Sequence, residues 1–155
     1  MGIDIAAQVR RTYEELWHRG NVDFIDESCS PDFVDHDAFA GDVDRDGLKG
    51  IVRLFRGAFP DIRFQLNDVL ISGNCATVRW TARGTHTGQL LDIAPTGHNV
   101  TVNGIGISRF EGNQERESWV MWDVMGLMQQ LGAAPVMGVP TSMHAPPSGR
   151  EAPRH

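Results

Sequence analysis

The chain has little of what several function classes require. Lysine occurs once, as Lys49, and 14 basic residues face 20 acidic ones for a formal charge of −6. A nucleic-acid surface needs a clustered basic stripe, and none is present, so no nucleic-acid partner is expected. No apolar run approaches the length of a membrane span, so no membrane partner is expected either. The opening MGIDIAAQVRRTYEE reads as an amphipathic helix rather than a signal sequence, and Ala6 stands where an acylation signal has Ser or Thr. The two cysteines, Cys29 and Cys75, form no CxxC pair, which points to reduced thiols in a cytoplasmic protein. No GxSxG marks a nucleophilic serine. The glycines of GHNVTVNGIGIS alternate within a strand pattern and open no helix, so a dinucleotide loop is excluded. Gly104 and Gly106 instead mark a close backbone approach or a bend.

What is present suits one domain with a core: 155 residues, 41% apolar and 22% charged. Ile5, Val9, Tyr13, Leu16 and Trp17 recur at helical spacing until HRGN stops them, and Asn21 to Cys29 continues as a short helix. Leu48, Ile51, Val52, Phe55 and Phe59 form another helical stripe, closed by Pro60. Beyond Pro60 the period becomes two. IRFQL alternates, slips at Asn67-Asp68 as a bulge would, and turns at SGN. Ala76, Val78, Trp80 and Ala82 then face one way and Thr77, Arg79, Thr81, Arg83 and Thr85 the other. A strand from about Val100 to Phe110 and one from Glu115 to Val124 follow, and MGLMQQLG reads as a closing helix. The expected fold is α+β: N-terminal helices packed in a curled four-stranded antiparallel sheet, a cone that holds a pocket. The domain spans 1–134, and 135–155 reads as a Pro/Gly-rich flexible tail.

Two histidines draw attention. VDHDAF holds His36 between Asp35 and Asp37, and strand parity groups Val34, His36 and Ala38 on one face. With His36 turned inward, a neighbouring aspartate can orient its imidazole for acid/base work. His86 shares parity with Trp80 and Ala82 and is expected at the cavity wall or mouth, unless it is a structural histidine bonded to a loop. His36, Asp37, His86 and His98 are acceptable metal-ligand types, but none shows ligand spacing, so no metal is expected. Phe55, Phe59, Trp80 and Trp122 are expected to line the pocket, with plain core packing as their other reading.

FRGAFPDIRFQLNDVL, VRWTARGTHTGQLLDIAPTGHNVTV and the SRF…ESW…QQLG ending together resemble the SnoaL-like polyketide cyclases over roughly residues 5–134. That family shares its superfold with nuclear transport factor 2 and ketosteroid isomerase. The resemblance implies a cone with an apolar cavity, no cofactor, and proton transfer during ring closure of an aromatic polyketide. It also implies an aspartate directly after the last-strand tryptophan, and here Val120 follows Trp119. Asp123 is then either catalytic or a cap for the closing helix. His36, Asp37, His86 and Asp123 are the candidate catalytic residues. The implied activity is a cyclase or isomerase of small-molecule metabolism, or a hydroxylation-associated relative. A non-catalytic dimeric module binding an apolar ligand is the alternative. A homodimer packed through the Thr77–Thr85 face is expected in either case.

Overall fold

A computed structural model describes residues 4–135 of the chain. Helix α1 (Ile5–Tyr13) begins where the Asp4 carboxylate accepts from the Ala7 amide at 3.0 Å, satisfying a donor that the first turn leaves free. It widens into a π-helical segment, Glu14–His18, and Gly20, at φ +68°, ends the run. The short α2 (Phe24–Ser28) leads straight into strand β1 (Cys29–Asp37), on which β2 (Gly41–Val43) folds back. Helix α3 (Arg45–Ala58) is capped by Asp44, which accepts from the Gly47 amide at 2.8 Å. Strands β3 (Arg63–Ser72), β4 (Cys75–Thr85), β5 (Asn99–Glu111) and β6 (Gln114–Trp122) follow, and α4 (Val124–Gln130) closes the order. From residue 136 onward, the tail read over 135–155 lies outside the described residues.

The sheet has six strands, in the order β2-β1-β6-β5-β4-β3. The four-stranded antiparallel expectation therefore covers β3 to β6 only. Residues 34–37 of VDHDAF belong to β1, which runs parallel to β6. The alternation read there holds, but the inward side is the other one: the buried position after Phe33 is Asp35, so no apolar residue marks that side of the strand. The slip at Asn67 is a bulge, with Leu66 opposite Trp80 and Asp68 opposite Arg79. A second bulge lies at Arg116, since Phe110 pairs with Glu115 and Arg109 with Glu117. Arg116 turns outward to Glu111 and Asp32. The extra residue returns Glu115 to the inner face that Ser118, three residues on, also uses.

The inner face carries the core. Ala76, Val78, Trp80 and Ala82 of β4 are buried, and Val9 of α1 packs against them. Phe55 and Phe59 meet Leu127 and Leu131 from the α4 end. Trp80 explains a glycine: its ring lies over Gly104 on β5, where an added Cβ would stand 2.2 Å from a ring carbon. The opposite face of the sheet is open and mixed. Arg79 pairs with Asp68 at 2.6 Å, Thr81 bridges Asn67 and Asn103, and Ile105, Ile107 and Met121 are exposed beside them.

Candidate functional site

The helices do not fill the concave side of the sheet. A cavity of about 160 Å³ remains, close to the room one aromatic ring takes. Phe55, Phe59, Trp80 and Trp122 all line it, with Trp17, Phe64 and Val120. The aromatic wall is packed within itself: Phe55 meets Trp122 edge to face at 5.6 Å, and Phe64 lies 4.8 Å from Trp80.

One part of the wall is polar, and four elements supply it. Asp35 comes from β1, Ser108 from β5, Glu115 and Ser118 from β6, and Tyr13 from α1. The register sets them side by side, because Asp35 pairs with Ser118 and Ser118 pairs with Ser108. The Ser118 hydroxyl donates to Asp35 Oδ1 at 2.6 Å, and the Ser108 hydroxyl donates to Glu115 Oε1 at 2.6 Å. Among the described residues, no arginine, lysine or histidine side chain bonds either acid. Burial pushes the Asp35 carboxyl up to about 6, against the Ser118 hydrogen bond that favours its ionised form. Burial pushes Glu115 up to about 7, with the charge of Asp35 adding to the effect. Burial, then the two carboxyl charges, hold the Tyr13 phenol well above its ordinary range, so it stays a donor.

The candidates read from sequence lie elsewhere. His36 does share a face with Val34, but that face is the outer one. There its Nδ1 meets Asp42 Oδ1 and its Nε2 meets Glu117 Oε2, both at 2.7 Å, and its ring stacks on Trp119. His86 is fully buried but does not line the cavity. Its Nδ1 accepts from the Thr96 amide at 3.2 Å, and its ring rests 5.3 Å from Phe59, so it staples the β4–β5 loop. Asp37 borders the cavity, yet its carboxylate accepts from the amides of Phe39 and Ala40 and so caps the turn into β2. Asp123 is exposed and accepts from the Gly126 amide at 2.8 Å, which makes it the cap of α4 and not a cavity acid. His98 donates from Nδ1 to the Gln130 carbonyl at 2.9 Å. Among the described residues, no three His, Cys, Asp or Glu side chains are grouped to hold a metal ion.

Sequence reasoning missed Asp35 and Glu115. Asp35 shares parity with Phe33, a signal that was available. Glu115 gave none, because the Arg116 bulge breaks the alternation that would have linked it to Ser118.

The model of the SnoaL-like polyketide cyclase family matches residues 7–131. No curated protein matches the chain. Among solved structures, a protein of Acidithiobacillus ferrooxidans assigned as a polyketide cyclase is 28% identical, over 86% of this chain and 100% of its own, with a TM-score of 0.72. IdmH of Streptomyces antibioticus, also assigned as a polyketide cyclase, is 24% identical over 82% of this chain and 98% of its own, with a TM-score of 0.71. AclR of Streptomyces galilaeus, assigned as a hydroxylase, is 23% identical over 86% of this chain and 85% of its own, with a TM-score of 0.74. The latter two share the fold.

The buried acids make stability depend on pH. Their folded pKa values lie above the unfolded value of about 4. The unfolded chain therefore releases these protons first as pH rises, and stability falls between about pH 4 and 7. Glu115→Gln keeps the acceptor for Ser108 and removes the charge. It is expected to stabilise the protein by on the order of 2–3 kcal/mol at pH 8 and to leave it nearly unchanged at pH 4. Thermal melts at the two pH values check this, and an equal difference at both would contradict it.

Proposed function

The chain belongs to the SnoaL-like polyketide cyclase family, and from that premise we propose that it is a cofactor-independent acid/base enzyme acting on a small apolar carbonyl compound of the polyketide type. Asp35 and Glu115 are its proton-handling groups. The observation that carries this reading is the pair of carboxyls, raised to about 6 and about 7, sharing one patch of a largely apolar cavity wall. Perturbed acids in a cleft are a mark of chemistry rather than packing. Between those two values Asp35 is ionised while Glu115 still holds its proton, so base and acid coexist.

In the ring-closing step, Asp35 takes a proton from a carbon beside a carbonyl. The electron pair released forms the new carbon–carbon bond to a second carbonyl carbon, and Glu115 gives its proton to the oxygen that becomes the hydroxyl. Asp35 then carries the proton that Glu115 has lost, and one transfer resets the pair. Tyr13 donates a hydrogen bond to the oxygen that gains charge. An isomerisation uses the same two transfers without the bond closure.

Val120 lies on β6 where the cyclase pattern has its aspartate, and Asp35 lies on the adjacent strand opposite Ser118, two residues before that place. The acid has moved from β6 to β1. Val120 by itself favours a module that only binds an apolar ligand. Two acids kept in the cavity wall at a cost in stability favour chemistry.

The rate is expected to follow a bell-shaped pH profile with limbs near 6 and 7, belonging to the pair as a unit. Asp35→Asn is expected to lower kcat by about 10²–10⁴-fold. The substrate comes from comparing metabolites of a host with and without the gene, in which an uncyclised or unisomerised carbonyl compound should accumulate on deletion. Full turnover by Asp35→Asn would remove Asp35 from the mechanism.

The enzyme is further proposed to work as a homodimer through the open sheet face, where Ile105, Ile107 and Met121 stand exposed beside Arg79 and Asp68. Light scattering at micromolar concentration is expected to give twice the 17.1 kDa of one chain, and a mass of one chain would contradict the dimer.

A further inference from the structure

We propose that His36 is a positioning residue: from the outer face of the sheet it clamps β1 between β2 and β6, and so holds Asp35 on Ser118 inside the cavity. The inference rests on the reading of Asp35 as a working acid, but the geometry behind it is separate. His36 reaches Asp42 on β2 through Nδ1 and Glu117 on β6 through Nε2, at 2.7 Å each. Its ring stacks on Trp119 of β6 at 5.4 Å and 24°. Arg109 of β5 backs the cluster, with its guanidinium 5.3 Å over the Trp119 ring and 3.8 Å from Glu117. Three strands therefore meet on one imidazole.

The clamp sits where the sheet is weakest. The β1–β6 pairing is the sheet's one parallel ladder among the described residues. After the shift between Cys29 and Val34, its register runs only from Val34 opposite Glu117 to Asp37 opposite Val120. Parallel pairs are slightly less stable per residue than antiparallel ones. His36 and Glu117 are the chain neighbours of Asp35 and Ser118, and they sit on the opposite face. Whatever fixes His36 against Glu117 on the outside fixes Asp35 against Ser118 on the inside.

The clamp needs the doubly protonated ring. Only an imidazolium donates from both nitrogens; the neutral ring turns a lone pair toward one of the two carboxylates. The hydrogen bonds to Glu117 and Asp42 raise the His36 pKa above its ordinary value. The charged groups facing it are Asp42 from β2 and Glu117 from β6, with Arg109 behind it; Asp35 and Asp37, its neighbours on β1, lie on the cavity face instead. A raised histidine contributes its stability below its unfolded pKa and loses it as pH climbs through the folded one. The clamp is thus closed at low pH and opens as pH climbs through the raised His36 pKa.

The test follows the Asp35 carboxyl by NMR in full-length chain labelled at the aspartate carboxyl carbon, and it reads no turnover. Ser118→Ala removes a hydrogen bond that favours the ionised form, so it is expected to raise the Asp35 titration midpoint by about one pH unit in the wild-type background. The same substitution is expected to change nothing further in a His36→Gln background, where the bond is already lost. In a His36→Arg background, which keeps a cation between the two carboxylates, the shift should return. Glu117→Gln, which opens one side of the clamp, stands in should His36→Gln not fold. An equal Ser118→Ala shift in all backgrounds would show that His36 acts on Asp35 through charge alone, and would overturn the clamp. A clamp that passes this test alongside an Asp35→Asn enzyme of full activity would overturn the functional reading and leave the clamp standing.

Discussion

Two carboxyls held against an apolar cavity, with no cation bonded to either among the described residues, set the terms for the rest of this structure. Ionised, each is penalised by the apolar cavity, and together they repel. The fold answers with a hydroxyl for each, Ser118 for Asp35 and Ser108 for Glu115, and among the described residues no positive side chain bonds either. A basic partner would have pulled both acids down into the ordinary carboxylate range and left them ionised at neutral pH. Serine satisfies the acceptor while leaving the proton's departure to be decided near neutrality. On the proposed reading, the choice of partner is what makes the pair chemically useful.

That choice depends on register. Ser108 and Ser118 face one another across β5 and β6, and Asp35 joins them because β1 runs parallel beside β6. Glu115 joins only because Arg116 bulges outward, held by Glu111 and Asp32. A slip of one residue on β1 would swap Asp35 for His36 and send the acid to the outer face. The outer cluster of His36, Asp42, Glu117 and Trp119 lies on the short segment of pairing that prevents this. None of its residues lines the cavity, yet they bear on the site through the strands they share with it.

The parts legible in the sequence were those where one period dominates. Helices α1 and α3 and strand β4 carry apolar stripes, and their buried faces were read residue by residue, Trp80 included. Phe55, Phe59 and Trp80 of the aromatic wall follow from those stripes, and Trp122 joins them from β6. The acid site was not legible, because its strand inverts the usual code: β1 buries Asp35 and turns His36 out. Composition offers no way to tell an inward carboxylate from an outward one when the residues between them are charged as well. His86 misled for a different reason. Its parity with Trp80 was correct and it is buried, but β4 ends at Thr85, and one residue past the strand the ring turns to the loop at Thr96. The family pattern pointed to position 120 for the acid, and the valine there gave no sign that a neighbouring strand carries it.

The central claim is that the cavity holds a protonated carboxyl at neutral pH, and infrared difference spectroscopy reads that directly. The spectrum of the full chain at pH 6.5, minus that of Glu115→Gln, should contain the carbonyl stretch of a neutral carboxylic acid. Titration through about pH 7 should convert that band to the carboxylate pair. A difference spectrum showing only carboxylate bands at pH 6.5 would mean that Glu115 is an ordinary ionised surface acid, and the two-acid account would fail with it.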